Sequence, residues 1–280
     1  MLSYQHLYHA GNLADVHKHS LLAWMLDYLT RKDKPLSYLE THAGRALYDL
    51  AAAEALKTGE STQGITRVLA AHWFAETHPY RRIVKQIRDT HGPQSYPGSP
   101  MLAAEMLRPT DRLHLAELHP QEYSALDFAM SPYNAQCHAK DGYAMVQSLC
   151  PPTPRRGLML IDPSYELKSD YQTLPVFLRQ ITRKWPVGVI VLWYPLLTSG
   201  AHKPMLAELE HSHREALRHE VGFPPARSGH KMIGSGMLVI NPPFGLSDEA
   251  MRLSRCFKKD TSRDRRDQHD KSLLDRPCNG

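Results

Sequence analysis

Cysteine is scarce, four residues in a chain of 280, and Cys137, Cys150, Cys256 and Cys278 are scattered with no C-x-x-C pair. Such spacing builds neither a disulfide framework nor a zinc site, so reduced thiols are expected. Long apolar runs are missing too. No stretch approaches the ~18 consecutive apolar residues of a membrane span. The segment Met1 to His6 has neither a basic n-region nor an apolar h-region. These absences predict a cytoplasmic protein with no membrane partner. A global charge excess is also lacking: the net charge is +5, yet residues 252–280 hold nine basic and five acidic side chains. The body before them is close to neutral, so any nucleic-acid surface there has to be a local patch. A hydrophobic content of 42% and a charged content of 22% are those of a soluble globular chain. The length suits one large α/β domain, or one domain with a sizeable insertion.

Against this ordinary background stands Asp162-Pro163-Ser164-Tyr165, directly after the apolar run Leu158-Met159-Leu160-Ile161. The run reads as a buried strand cut off by proline, and ligands of open α/β sheets sit at strand ends. An acid, a proline and an aromatic at that point suit methyl transfer to an exocyclic amino nitrogen of a planar base. That nitrogen is a poor nucleophile because its lone pair is delocalised into the ring. The Asp162 carboxylate and the Pro163 carbonyl can accept its N–H bonds and hold the lone pair toward an incoming methyl, while Tyr165 stacks on the ring. Taken alone, the same four residues would serve equally to end a strand and pack a tyrosine.

Organisation along the chain supports the chemical reading. Apolar residues from Asn12 to Arg31 recur at helical spacing and predict an amphipathic first helix closed by Lys34-Pro35. Strands are predicted at Ser37 to Glu40, Leu113 to Glu117, Cys137 to Ala139, Leu158 to Ile161, Val187 to Leu192 and Met237 to Ile240. Helical stretches alternate with them, which argues for an open, mainly parallel sheet covered on both faces. The gap between the first two strands is far longer than a crossover needs. Residues 45–98 therefore read as a helical insertion beside the strand ends, able to shape the site for a large substrate. One domain over residues 1–256 is expected, followed by a mobile tail over 257–280.

Polar groups recur where successive strands stop: Thr41-His42-Ala43-Gly44, then Glu117, then Asp141-Gly142, then Asp162. The series fits a nucleoside-containing cofactor, with a glycine turn for close approach, Glu117 for ribose hydroxyls and Asp141 for an adenine amino group. His6, His9, His17, His19 and Lys18 crowd the N-terminal segment, but nothing completes a recognisable metal-ligand spacing, and no metal is expected. Folding of this segment over the pocket, with His19 near the cofactor and Lys18 facing phosphate or base, is the economical reading. Asn241-Pro242-Pro243-Phe244 matches an amino-methyltransferase motif more literally than Asp162 does. After a last strand that runs antiparallel, however, it would emerge at the edge opposite the crevice, as a strand stop with a packed aromatic.

Together these residues resemble the RlmJ family of bacterial 23S ribosomal RNA adenine-N6 methyltransferases. The likeness covers residues 1–244. It rests on the block from Tyr4 through His6, His9 and Asp15 to Lys18-His19, on Leu39-x-Thr41-His42-Ala43-Gly44 and Tyr96-Pro97-Gly98-Ser99-Pro100, and on Glu117-Leu118-His119-Pro120. Leu160-Ile161-Asp162-Pro163-x-Tyr165-Glu166, Leu192-Trp193-Tyr194-Pro195 and Gly236 to Pro243 complete it. The resemblance implies a Rossmann-like fold with a seven-stranded sheet whose last strand is antiparallel. It further implies an S-adenosyl-L-methionine pocket lined by His19, His42, Ser99, Glu117, Asp141, Gly142 and Asp162. Asp162 would be the catalytic acceptor, with Tyr4, His6, Lys18, Pro163 and Tyr165 on the substrate side, and a monomer would act on 23S ribosomal RNA before assembly hides the adenine.

Two departures stand out. Ser164 replaces the second proline of the family's Asp-Pro-Pro-Tyr and returns a backbone N–H, which implies at most an effect on rate. Ala46 stands where relatives carry a second glycine, bearing on how closely the turn approaches the cofactor. Readings that remain beside the RNA enzyme are a DNA adenine-N6 methyltransferase, a protein-glutamine methyltransferase and a non-catalytic RNA-binding or assembly factor.

Overall fold

In the computed structural model the described residues are 6–274 except 227, 228 and 230, with side chains through Asp260; Tyr4 lies outside them. The first helix, α1 (Leu13–Thr30), starts where the Asn12 side chain accepts the Asp15 N–H at 2.9 Å, satisfying an orphan donor of the first turn. The sequence predicts an amphipathic helix here. Instead Asp15, His17, Lys18, His19 and Ser20 are buried along with the apolar residues, because the polar side of α1 faces the pocket and the neighbouring elements rather than water.

Strand β1 (Ser37–Glu40) matches its predicted bounds and is buried throughout. The segment that follows is more than helical: β2 (Leu47–Asp49), α2 (Ala53–Thr58), α3 (Arg67–Ala70), α4 (Pro79–His91) and β3 (Ser95–Pro97), with β2 and β3 pairing antiparallel. The insertion read as helical over residues 45–98 therefore opens with a short strand. That small sheet brings Gly98 against the turn after β1, where its N–H donates to the Ala46 carbonyl at 2.7 Å.

Then follow α5 (Ser99–Met106), β4 (Arg112–Ala116), α6 (Pro120–Met130), β5 (Ala135–His138), α7 (Gly142–Leu149) and β6 (Gly157–Ile161). The chain continues through α8 (Asp170–Lys184), β7 (Val189–Leu197), α9 (His202–Ser212), β8 (Leu217–Gly222), β9 (Met232–Ile240) and α10 (Leu246–Leu274). The main sheet has seven strands in the order β5-β4-β1-β6-β7-β9-β8. β5, β4, β1, β6 and β7 are parallel, and β9 inserts antiparallel between β7 and β8. Alternation along the buried strands divides the core. Leu158, Leu160, Val189 and Val191 pack on the face covered by α1, α4, α5 and α10, while Met159, Ile161, Ile190 and Leu192 pack with α7, α8 and α9.

From β1 the chain moves outward to β4 and β5, then crosses back to β6 on the other side of β1. The parallel strands thus end along one edge, where a crevice opens at the reversal of order. Asn241 lies at the opposite edge: its Nδ2 donates to the carbonyls of Pro186 and Gly188 at 3.0 and 2.8 Å, just before β7 begins. Phe244, expected to pack, is exposed.

The tail boundary needs correction. Helix α10 continues to Leu274, through the stretch read as aperiodic from residue 257. Phe257 is buried edge-on against Trp73 at 4.9 Å, and Asp260 is paired with Arg67 at 2.9 Å. This turn extends the packing that Leu246, Ala250 and Leu253 begin along the same helix.

Candidate active site

A cavity of about 400 Å³ lies at the strand ends. Its wall includes His6, Lys18, His19, His42, Ser99, Glu117, Asp141, Gly142, Asp162, Pro163 and Tyr165. These are all the site residues expected from the sequence apart from Tyr4.

One side of the cavity is built from the turns after β1, β4 and β5. Glu117 accepts the backbone N–H of Gly44 at 2.8 Å through one oxygen and that of His119 at 2.7 Å through the other. Burial raises its pKa against these two bonds. The carboxylate thereby fixes the β1 turn and keeps spare lone pairs toward the cavity. Asp141 caps α7, with Oδ1 accepting the Ala144 N–H at 2.8 Å. Gly142 is required because a Cβ there would lie 1.9 Å from the Thr41 carbonyl oxygen, so the turns after β1 and β5 touch directly. Ala46 adopts φ 66° and is fully buried. The close turn is retained at the cost of left-handed strain.

His42 bonds Thr41 Oγ1 through Nδ1 at 2.8 Å, and burial lowers its pKa to about 4. His19 bonds the Tyr96 hydroxyl at 2.8 Å and is lowered by burial to about 3. Both imidazoles are therefore neutral at pH 7, hydrogen-bonding groups rather than cations. Two buried polar atoms in the wall, Tyr143 Oη and His119 Nδ1, have no hydrogen-bond partner among the described residues. Buried polar atoms are normally satisfied, so these two mark where a polar ligand fits.

The opposite side centres on Asp162. Lys18 Nζ lies 2.5 Å from Asp162 Oδ2 and 3.2 Å from Asp15 Oδ1, with the Trp193 ring centroid 5.5 Å away. Burial would discharge the ammonium, but the two carboxylates overrule it and hold the Lys18 pKa above its ordinary value. Asp15 also accepts from His6 Nε2 and the Gly11 N–H, each at 2.9 Å. Burial acting alone would raise it, yet His6, Lys18 and His19 bring it well below the usual carboxylate range. Tyr165 has φ 54°, and its hydroxyl donates to the Trp193 carbonyl at 2.7 Å. Such a backbone at a pocket wall is strain of the kind that sites retain.

Three further residues escaped the sequence reading. Asp15 anchors Lys18 from beneath. Trp193 supplies the wall between Lys18 and Tyr165. Glu40, fully buried, lies 2.5 Å from Ser99 Oγ and accepts from the Tyr38 hydroxyl at 2.8 Å. Burial pushes its pKa up to about 8, opposed by the bonds from Ser99 and Tyr38. Asp15 and Trp193 stood inside recognised motifs, and Glu40 ends the first strand, but burial of an acid leaves no mark in sequence.

The crowded histidines are spread over several partners: His6 bonds Asp15, His9 bonds Glu60, His17 bonds Ser235 and His219, and His19 bonds Tyr96 and lies 3.8 Å from Asp15. Among the described residues no group of three or more His, Cys, Asp or Glu is placed to hold a metal ion, and no helix is long and apolar enough to cross a membrane.

This geometry has known counterparts. The family described as "RsmJ: Ribosomal RNA large subunit methyltransferase D, RlmJ" matches residues 33–268. The chain belongs to the RlmJ family. "Ribosomal RNA large subunit methyltransferase J" of Escherichia coli (strain K12) is 39% identical over 252 residues, covering 89% of this chain and 90% of its own. The protein of the same name from Haemophilus influenzae is 39% identical over 257 residues, covering 89% of this chain and 90% of its own. The crystal structure of protein LPL1258 from Legionella pneumophila superposes with a TM-score of 0.82 at 36% identity, over 90% of this chain and 94% of that one. As an RlmJ family member the chain is a methyltransferase. The resemblance read from its motifs therefore stands, and so does the fold with its antiparallel last strand.

Proposed function

We propose that the chain methylates N6 of one adenine in 23S ribosomal RNA, acting as a cytoplasmic monomer on free or partly assembled RNA. S-adenosyl-L-methionine, when bound, supplies the electrophilic methyl group. His19, His42, Ser99, Glu117, Asp141 and Gly142 would hold it along the strand-end turns. Tyr4, His6, Lys18, Pro163 and Tyr165 would face the RNA base.

The observation that carries this reading is Asp162 at the end of β6, in one cavity with the nucleoside-binding acids and tethered through only one of its oxygens. Oδ2 is engaged by Lys18, whereas Oδ1 takes no partner among the described residues and is left for an amine N–H. The Pro163 carbonyl is the second acceptor, and together they hold the N6 lone pair along the line of displacement. Lys18 stays charged, so it orients Asp162 and cannot take the amine proton. Tyr165 and Trp193 offer flat faces to an extruded base, whose unstacking costs a few kcal/mol and less in a loop.

The test is transfer of labelled methyl from S-adenosylmethionine to 23S RNA lacking the modification, with the labelled nucleotide mapped. Asp162→Asn keeps one acceptor oxygen but turns the other into a donor, and a rate loss of about 10²–10³ is expected. Cofactor binding without transfer to RNA would overturn the substrate, and label on DNA or protein would reassign it.

A further inference from the structure

His17 is fully buried in α1 and has no role in the chemistry above, yet it sits at the centre of a hydrogen-bonded row that starts in the pocket wall. Trp193 Nε1 donates to Ser235 Oγ at 2.9 Å, and Ser235 Oγ is 2.8 Å from His17 Nδ1. His17 Nε2 is 2.9 Å from His219 Nδ1, and His219 Nε2 is 2.7 Å from Ser254 Oγ on α10.

The row has one direction. Indole can only donate, so Ser235 accepts there. Ser235 is fully buried, and His17 Nδ1 is the remaining acceptor for its hydroxyl proton among the described residues. With Nδ1 accepting, His17 carries its proton on Nε2 and donates to His219 Nδ1. His219 in turn donates from Nε2 toward α10, where the Ala250 backbone also bonds the ring. Burial holds both imidazoles neutral, below their ordinary range.

We propose that His17 and His219 are positioning residues for the acceptor side of the pocket: through Ser235 they fix the Trp193 indole beside Lys18, where the base is received. The inference rests on the methyltransferase reading of that pocket. A proton on His219 converts its Nδ1 from acceptor to donor, facing the N–H of His17, and the row breaks. Groups facing His219 are His17 from α1, Glu220 on its own strand and Glu249 with Ser254 on α10. Phe257 closes the row edge-on to His17 at 6.1 Å.

His219→Gln preserves an acceptor toward His17 and a donor toward α10, whereas His219→Leu preserves neither. Expected for the leucine variant is a fall in kcat for RNA methylation of about tenfold, the size of a small misplacement, with the Kd for S-adenosylhomocysteine within about twofold of wild type. The glutamine variant recovers kcat. On acidification through and below the ordinary imidazole range the wild type loses rate and its Trp193 emission shifts, read as the difference from Trp193→Phe, and His219→Gln shows neither change. An unaltered kcat in the leucine variant, or identical acid limbs in wild type and glutamine variant, would overturn the proposal. Should the leucine variant not fold, the comparison of wild type with glutamine decides alone. A wild type that binds S-adenosylhomocysteine but methylates no RNA would overturn the functional reading instead, and the emission shift would still decide the row.

Discussion

Glu40 gives a stability measurement with a calculable sign. Its carboxyl is fully buried and titrates at about 8 in the folded chain, against about 4.5 when exposed. Between those values the native state holds a proton that the unfolded state has released, so wild-type stability falls as pH rises and levels off above pH 8. The slope is about 1.4 kcal/mol per pH unit while the carboxyl stays protonated only in the fold. Glu40→Gln is nearly isosteric with the protonated acid and has no such slope. Near pH 5 the two proteins should be of similar stability. By pH 8 the glutamine variant should lead by about 4 kcal/mol, three units at that slope. The assay is urea unfolding at half-unit pH steps, with the difference between the two proteins plotted, so that titrations they share cancel. A difference that stays constant from pH 5 to 8 would refute the argument. It would mean that Glu40 is ionised in the fold, the bonds donated by Ser99 and Tyr38 outweighing its burial.

Lys18→Met removes the cation shared by Asp15 and Asp162 and leaves buried carboxylates uncompensated; a loss of about 3 kcal/mol is expected in denaturant melts. Ala46→Gly releases the left-handed strain of the turn after β1, with a gain of up to about 1 kcal/mol in the same assay. Phe257→Ala, which opens a void between α10, Trp73 and His17, should cost about 3 kcal/mol; a neutral result would show that the helix does not pack there.

Local pattern sufficed where the element buries itself by local means. β6 is an apolar run between Gly157 and Pro163, and β1 is a four-residue stretch between Pro35 and the Gly44 turn; the sequence places both. β8, Leu217-Arg218-His219-Glu220-Val221-Gly222, went unseen because an edge strand with polar residues carries little apolar signal. β2 and β3 are three residues each and exist only because they pair with one another across the insertion. Helix α10 beyond residue 257 mixes both charges without an apolar stripe, so only its docking turn at Phe257 and Asp260 gives it away. At the site, the acids at strand ends were legible because topology puts strand ends together. Asp15, Glu40 and His17 were not, since their roles come from partners that the chain brings close only on folding: Lys18 and Asp162, Ser99, and His219 some two hundred residues away.

The cavity wall draws on the segment before α1, the turns after β1, β4, β5 and β6, the end of β7 and the start of β9. Almost the whole length of the chain must be in register before any two of these walls face each other. No fragment of the protein can therefore hold the ligand, and whatever free energy the ligand contributes is delivered to the entire fold at once. Binding of the cofactor therefore adds its free energy to the stability of the fold as a whole, rather than to one segment of it.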